Sequence, residues 1–358
     1  MKQWVFLLLA AVLLMGKASA AEVPRNLLKA LPEETEDLIV FADPADPGGL
    51  ARGVGRILED MKGKVGEVLR QRTRGAASVL LVVVLCSAVE GFSQGAGGKS
   101  ALFLPMAGAL SVTLLTAGSL DSLMGLGAET IGELNRFSKA LLPTLAAATA
   151  ASGAVTTATV QQVTTVFFVD LLLNLVDGLL LPMVYLYIGA LAAAACLPES
   201  RLGAIAEGLK KILTWILTTA LLVFTVYLSV ARVISGAADG AAVRVTKAAI
   251  SGVVPVVGGI IAEASETVLV GAGMLKNTIG FVGMLAILAA CAYPFLQLGV
   301  QYLLYKLTAF LAAAIGAPGL CKLIDGLGGA FGLVLGMTGA CALLLLVSVL
   351  SSVAAVVP

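Results

Sequence analysis

From Ala76 onward the apolar positions follow one another in long stretches. They neither alternate, as in a half-buried strand, nor keep to one face, as in a soluble helix. Such runs are long enough to cross a hydrocarbon layer as helices. They predict about eight spans, at residues 76–92, 102–120, 155–176, 178–197, 213–234, 267–290, 292–316 and 331–357. Between them, residues 121–139, 199–211 and 235–249 carry charges on one face and read as interfacial helices. Ahead of the first span, Leu50, Val54, Ile57, Leu58, Met61, Val65, Val68 and Leu69 recur at helical spacing and form one apolar stripe. That stripe suits a membrane surface, a partner or local packing, and Gly53, Gly55, Gly63 and Gly66 weaken the helix. The fold class is therefore all-α, a polytopic helical membrane protein.

The first twenty residues have another pattern. Lys2 precedes an apolar run over 4–15 that is too short to span, and Ala18-Ser19-Ala20 is a small-x-small cleavage motif, so 1–20 reads as a signal peptide. Cleaved, or retained as an anchor, it places 21–75 outside the cytoplasm: an acidic, Pro-rich linker followed by the amphipathic helix. Arg70, Arg72 and Arg74 then stand outside, directly beside the first span, against the positive-inside rule. They need a partner there, such as anionic headgroups or another protein.

Composition sharpens the picture. The chain is 59% hydrophobic and 13% charged, against about 25% charged in average domains, and its mean hydropathy is +1.01. A net charge of +1 gives no sign of nucleic-acid binding. The chain has no histidine, which removes histidine triads, relays and metal ligands. Cys86, Cys196, Cys291, Cys321 and Cys341 all lie in or beside apolar runs, form no C-x-x-C and read as small buried hydrophobes. No G-x-x-x-x-G-K-[ST], G-x-S-x-G or H-E-x-x-H is present. No cofactor, metal site or catalytic residue is expected, and the chain does not read as an enzyme.

The second half is patterned as a duplication. Pro143 and Pro255 stand 112 residues apart, and so do Pro182 and Pro294. Each first proline precedes a run of small residues, and each second proline an Ala-rich span. The chain divides accordingly into 1–20, 21–75, 76–140 (two spans and an interfacial helix), 141–250 (repeat 1) and 251–358 (repeat 2). With three spans per repeat the copies would be inverted, an architecture of many transport proteins.

The paired interruptions supply the candidate pathway and gating residues. Pro143 with Gly153, and Pro255 with Gly258 and Gly259, predict broken or re-entrant helix, which at membrane depth is tolerated inside protein or along a wet cavity. Asp170, Asn174 and Asp177 share one helix face at i, i+4 and i+7, extended backward by Thr156 and Thr159. In repeat 2, Glu263, Glu266, Lys276 and Asn277 flank the start of a span. A charge inside a span costs roughly 2.5–3.5 kcal/mol, so these residues line a bundle interior or water, or, for Asp177 and Glu263, mark span ends. Two turns of one helix separate Asp170 from Asp177, poor geometry for a shared-proton aspartyl enzyme. Gly328, Gly332 and Gly336, continued by Ala340, form a small-x-x-x-small stripe for close helix packing within the chain or between copies.

One resemblance adds to this reading. Phe137-Ser138-Lys139-Ala140-Leu141-Leu142-Pro143 with Ala151-Ser152-Gly153-Ala154-Val155, and Ile250-Ser251-Gly252-Val253-Val254-Pro255 with Glu263-Ala264-Ser265-Glu266-Thr267-Val268, resemble the stage III sporulation protein AE family. The likeness covers nearly the whole chain. It implies a multi-pass protein of the mother-cell membrane around the forespore of an endospore-forming bacterium. It also implies partners: sister proteins of one operon, including a secretion-type ATPase and ring-forming proteins. With these it would form a mother-cell-to-forespore channel or secretion complex. Taken with the paired helix interruptions, this chain then reads as the integral membrane subunit that serves as its export gate or permease. The family supplies no catalytic residues. Two other readings stay open, a stand-alone secondary transporter and a membrane scaffold, and the glycine stripe leaves room for a homo-oligomer.

Overall fold

The computed structural model describes residues 49–93, 100–197, 201–253 and 258–354. The signal peptide expected at 1–20 and the acidic linker lie outside the described residues. Among those described there is no strand. Helix α1 is Gly49–Ser93, α2 Ser100–Ala151, α3 Val155–Leu175, α4 Leu181–Cys196, α5 Leu202–Val253, α6 Gly258–Ala314 and α7 Pro318–Val353. A π-turn, Val176–Leu180, joins α3 to α4, so the two form one rod.

Six helices are long and apolar enough to cross a membrane, against the eight spans expected. The difference has one cause, repeated twice. Spans 155–176 and 178–197 merge into the α3–α4 rod, and spans 267–290 and 292–316 into α6, because the helix runs on through Asp177 and Cys291 and through the prolines just beyond them, Pro182 and Pro294. At Pro182 the missing N–H and the ring's bulk are accommodated upstream. The hydrogen-bond ladder slips to five residues, with the Leu181 N–H donating to the Val176 carbonyl. Pro143 likewise lies inside α2, where the Thr144 hydroxyl donates to the carbonyls of Ala140 and Leu141. The expected break at Pro143 comes instead at Gly153, whose φ of 91° ends α2 and which a side chain would strain. The segments expected to lie as separate interfacial helices belong to the long rods: 121–139 is the middle of α2, and 235–249 the end of α5. At 57 residues α6 is about 85 Å long, far more than a hydrocarbon core of ~30 Å, so only part of it can lie in lipid.

Helices α6 and α7 are the central pair. Of the most apolar window in each, 61% is buried, against 17–33% in the other four. They run antiparallel: Gly328 meets Tyr305, Gly332 the Tyr302 ring, Gly339 Phe295, and Gly280 Val349 and Val353. The α3–α4 rod is also antiparallel to α7. Thr165 and Ser348 share a hydroxyl hydrogen bond of 2.5 Å, and the Tyr187 hydroxyl donates to the Gly326 carbonyl at 3.0 Å. Both rods therefore run in the same sense. Each proposed repeat holds a rod and a returning helix, two passes rather than three, and an even number of passes restores direction. The inverted relation expected between the copies is not what the geometry gives.

Helix α1 lies parallel to α6 along its length. Ile57 packs with Phe281, Val282, Leu285 and Ala289 in a second apolar cluster, Arg72 reaches Gln297, and the Ser87 hydroxyl donates to the Ile315 carbonyl. Helix α2 runs the other way, Thr116 sharing a hydrogen bond with Tyr305 and Leu141 packing where Gly283 leaves space. Outward faces carry Leu114, Trp215, Leu222 and Phe310, all well exposed, as lipid-facing helices allow.

Candidate functional site

The acidic and polar candidates of repeat 1 lie on the α3–α4 rod. Opposite Asp170 its buried side is apolar: Val169, Leu172, Leu173, Val176, Leu180 and Val184 enter the main core. Helical geometry then sends the opposite face outward, and Asp170 and Asn174 are both exposed there, with Val163, Phe167 and Leu171 around them. Thr159 is exposed on the same face and donates to the Val155 carbonyl. This face points away from the bundle interior. Asp177 falls in the π-turn, the irregular point of the rod, with its side chain outside the described residues.

The other candidates collect at one end of the bundle. Gly153 makes the left-handed turn between α2 and α3. Pro143, about three turns earlier, is exposed on α2. Pro255 lies outside the described residues. Gly258 and Gly259 open α6, and Glu263 and Glu266 sit in its first turns, with their side chains outside the description. The glycine stripe divides its work: Gly328 and Gly332 admit the α6 tyrosines, while Gly336 faces Leu217 of α5. Cys291 and Cys341 are buried, and Cys86, Cys196 and Cys321 are half-buried.

Two polar assemblies escaped the sequence reading. In the first, an Arg72 terminal nitrogen donates to Gln297 Oε1 at 2.5 Å, joining α1 to α6. The buried Arg72 Nε and Gln301 Oε1 have no hydrogen-bond partner. Lys64, paired to Asp60 at 3.1 Å, lies over the Tyr293 ring. Thus one arginine beside the first span has its partner within the chain, while Arg70 and Arg74 face outward. The signal was present: Tyr293, Gln297, Gln301 and Tyr305 recur every four residues through an apolar run. In the second, Lys306 Nζ pairs with Asp325 Oδ1 at 2.5 Å and lies over the Tyr302 ring. Beside it the Tyr187 hydroxyl and Lys210 Nζ stand against Gly329. This cluster ties α4, α5, α6 and α7 together at one height.

A small cavity of about 10 Å³ lies between α2, α3 and α7, lined by Ile131, Leu134, Asn135, Val169, Leu172 and Leu345 among others. It can hold about one water. Asn135 Oδ1, buried and without a hydrogen-bond partner, is the polar group such a water would meet. Among the described residues no group of three metal-ligating side chains comes together. The arrangement is thus one of polar residues on an outward helix face, a left-handed helix break and a packed interior.

A family model of stage III sporulation protein AE matches residues 47–356, which takes in all the described helices. The chain belongs to the stage III sporulation protein AE family. It is similar to stage III sporulation protein AE of Bacillus subtilis (strain 168), 21% identical over 90% of each chain. No solved structure matches. This member of the family is all-helical among the described residues, with six helices long and apolar enough to cross a membrane.

Proposed function

We propose that this chain is an integral membrane subunit of the mother-cell-to-forespore channel or secretion complex needed for endospore development, and that it acts as the complex's export gate or permease. The observation that carries the reading is the family match across 47–356 on a chain with six apolar helices. Two features favour a gate over a passive anchor. One is the outward Asp170–Asn174 face, whose charge must meet water or protein rather than lipid. The other is the pair of helix irregularities that bracket α3, the left-handed Gly153 ahead of it and the π-turn that holds Asp177 after it. Irregular backbone of this kind recurs at functional sites in helices. A secretion-type ATPase among the sister proteins would supply energy, since this sequence has no phosphate-binding loop. Ring-forming sisters would continue the path beyond the mother-cell membrane.

The test is a clean deletion in the native host, scored for forespore-specific transcription after engulfment. Normal growth and engulfment with failed late forespore expression is the expected result. Normal spores, or failed growth on a particular solute, would move the chain to the stand-alone transporter reading. A scaffold would be indicated if neutral changes at Asp170 and Pro255 left sporulation intact while disruption of Val65 and Leu69 abolished it.

A further inference from the structure

We infer that copies of this chain associate head to tail, the outward Asp170 face of α3 in one copy docking on the Lys62 edge of α1 in the next. The argument starts with Asp170. It sits near the centre of the exposed side of α3, among Val163, Phe167 and Leu171, with Asn174 one turn on. An exposed carboxylate ringed by apolar side chains is complementary to an apolar surface that carries one positive charge.

Helix α1 carries the complement. Leu58, Val65 and Leu69 are exposed and lie on one line of α1, spaced i, i+7 and i+11, and the exposed Lys62 falls within that line. This is the part of the amphipathic stripe that α6 leaves uncovered, since Ile57, Met61 and Val68 take the side toward α6. Each surface is therefore an apolar strip with a charge near its centre, and the charges of Asp170 and Lys62 are opposite.

The two also lie at the same height. Thr165 is level with Ser348 through their hydrogen bond, and Val169 and Leu172 line a cavity with Cys341 and Leu345, so Asp170 stands beside the stretch of α7 near Leu343. Along α6, Phe295 is level with Gly339 and Gly280 with Val353, which brings that height to the stretch near Cys291. On α1, Ile57 packs on Leu285 and Ala289, and Lys64 covers Tyr293. Lys62 thus stands within about one turn of Asp170 along the bundle axis. The two faces belong to different sides of the molecule: α1 packs on α6 and α2, α3 on α2, α5 and α7. One copy cannot bring them together. A contact between unlike patches is heterologous and closes into a ring when the rotation per copy allows it. Such a ring would turn the remaining charged face of α1, with Arg52, Glu59, Glu67 and Arg70 exposed, toward one common side. The inference goes beyond the gate reading and does not depend on anything passing.

The test uses the full-length chain in its own membrane, with the five native cysteines replaced by alanine and Lys62→Cys and Asp170→Cys introduced, followed by mild oxidation. Expected is a ladder of dimers, trimers and larger species when both cysteines are in one chain, dimers only when the two single variants are mixed, and monomer for either alone. Charge reversal gives a second readout on the otherwise native chain. Lys62→Asp and Asp170→Lys should each lower chemically cross-linked oligomer about tenfold, and the double reversal should restore it. A dimer from Asp170→Cys alone overturns the proposal in favour of a symmetric contact. Its cross-linking only to a different polypeptide overturns it in favour of another subunit, and monomer throughout, with charge reversal silent, overturns it outright. Loss of sporulation on deletion with monomer throughout would leave the gate reading standing and remove only this contact.

Discussion

Two glycines of one stripe should respond oppositely to the same change. At Gly328 an added Cβ would lie 3.1 Å from Tyr305 Cβ, 3.7 Å from the Lys306 nitrogen and 3.8 Å from the Tyr302 carbonyl. All three atoms are fixed to the α6 backbone, so no rotamer change relieves the contact and the helices must move apart. At Gly336 the added Cβ would lie 3.5 Å from Leu217 Cδ2, an ordinary contact with the free end of a flexible side chain. Replacing glycine by alanine inside a helix gains about 1 kcal/mol of propensity at either site. That gain is common and cancels in the comparison. What remains is the overpacking at Gly328, about 1–3 kcal/mol. Gly336→Ala should therefore stabilise the protein, and Gly328→Ala should be less stable than Gly336→Ala by that difference. The assay is thermal unfolding in detergent, followed by a thiol-reactive fluorogenic dye. Cys291 and Cys341, 3% and 7% exposed, report opening of the core once Cys86, Cys196 and Cys321 are replaced by alanine. Equal shifts for the two variants would refute the reasoning, because the α6–α7 approach would then not depend on the missing Cβ at Gly328.

Three further outcomes follow from single features. Gly153→Ala should destabilise by about 1–2 kcal/mol in the same assay, because its φ of 91° is left-handed, and a neutral result would show that the α2–α3 turn readily adopts another conformation. In a double-mutant cycle with Thr165→Val and Ser348→Ala, the coupling should be about 0.6 kcal/mol, the usual size for a hydroxyl hydrogen bond between membrane helices; no coupling would mean the two hydroxyls do not meet. The Asp170→Asn, Asp177→Asn double variant should impair sporulation while the protein accumulates normally in the membrane, and wild-type spore yield would remove the pathway role assigned to that face.

The helical multi-pass class was legible because lipid imposes it: long apolar runs and 13% charge leave no soluble alternative. The number of spans was less so, and the reason is specific. The apolar runs were divided at Asp177 and Cys291, just ahead of Pro182 and Pro294, and a break was expected at Pro143, yet Pro143 and Pro294 sit inside continuous helices and Pro182 is absorbed by a π-turn. A proline costs a helix one hydrogen bond and local space. Whether that cost breaks the helix depends on the neighbouring helices, and a window of sequence does not contain them. The same blindness produced the inverted repeat. Its spacing of 112 residues is in the sequence, but its orientation followed from a pass count that the merged rods change from three to two.

For the candidate site the sequence supplied the residues but not their direction. Asp170 and Asn174 share a face, as their spacing requires, yet the face turns outward because Val169, Leu172, Leu173 and Val176 claim the inward side. The apolar residues decide this, and in a span that is apolar all round the helical period carries almost no contrast to show it. The Arg72–Gln297 pair makes the converse case. Its residues are 225 positions apart, so α1 had to be laid along α6 before the pair could exist, although the four-residue recurrence of Tyr293, Gln297, Gln301 and Tyr305 already marked one side of α6 as polar. In a membrane chain, then, a polar residue at helical spacing shows that a face needs a partner. Whether the partner lies within the chain, as for Gln297, or outside it, as proposed for Asp170, is settled only by which helix covers that face.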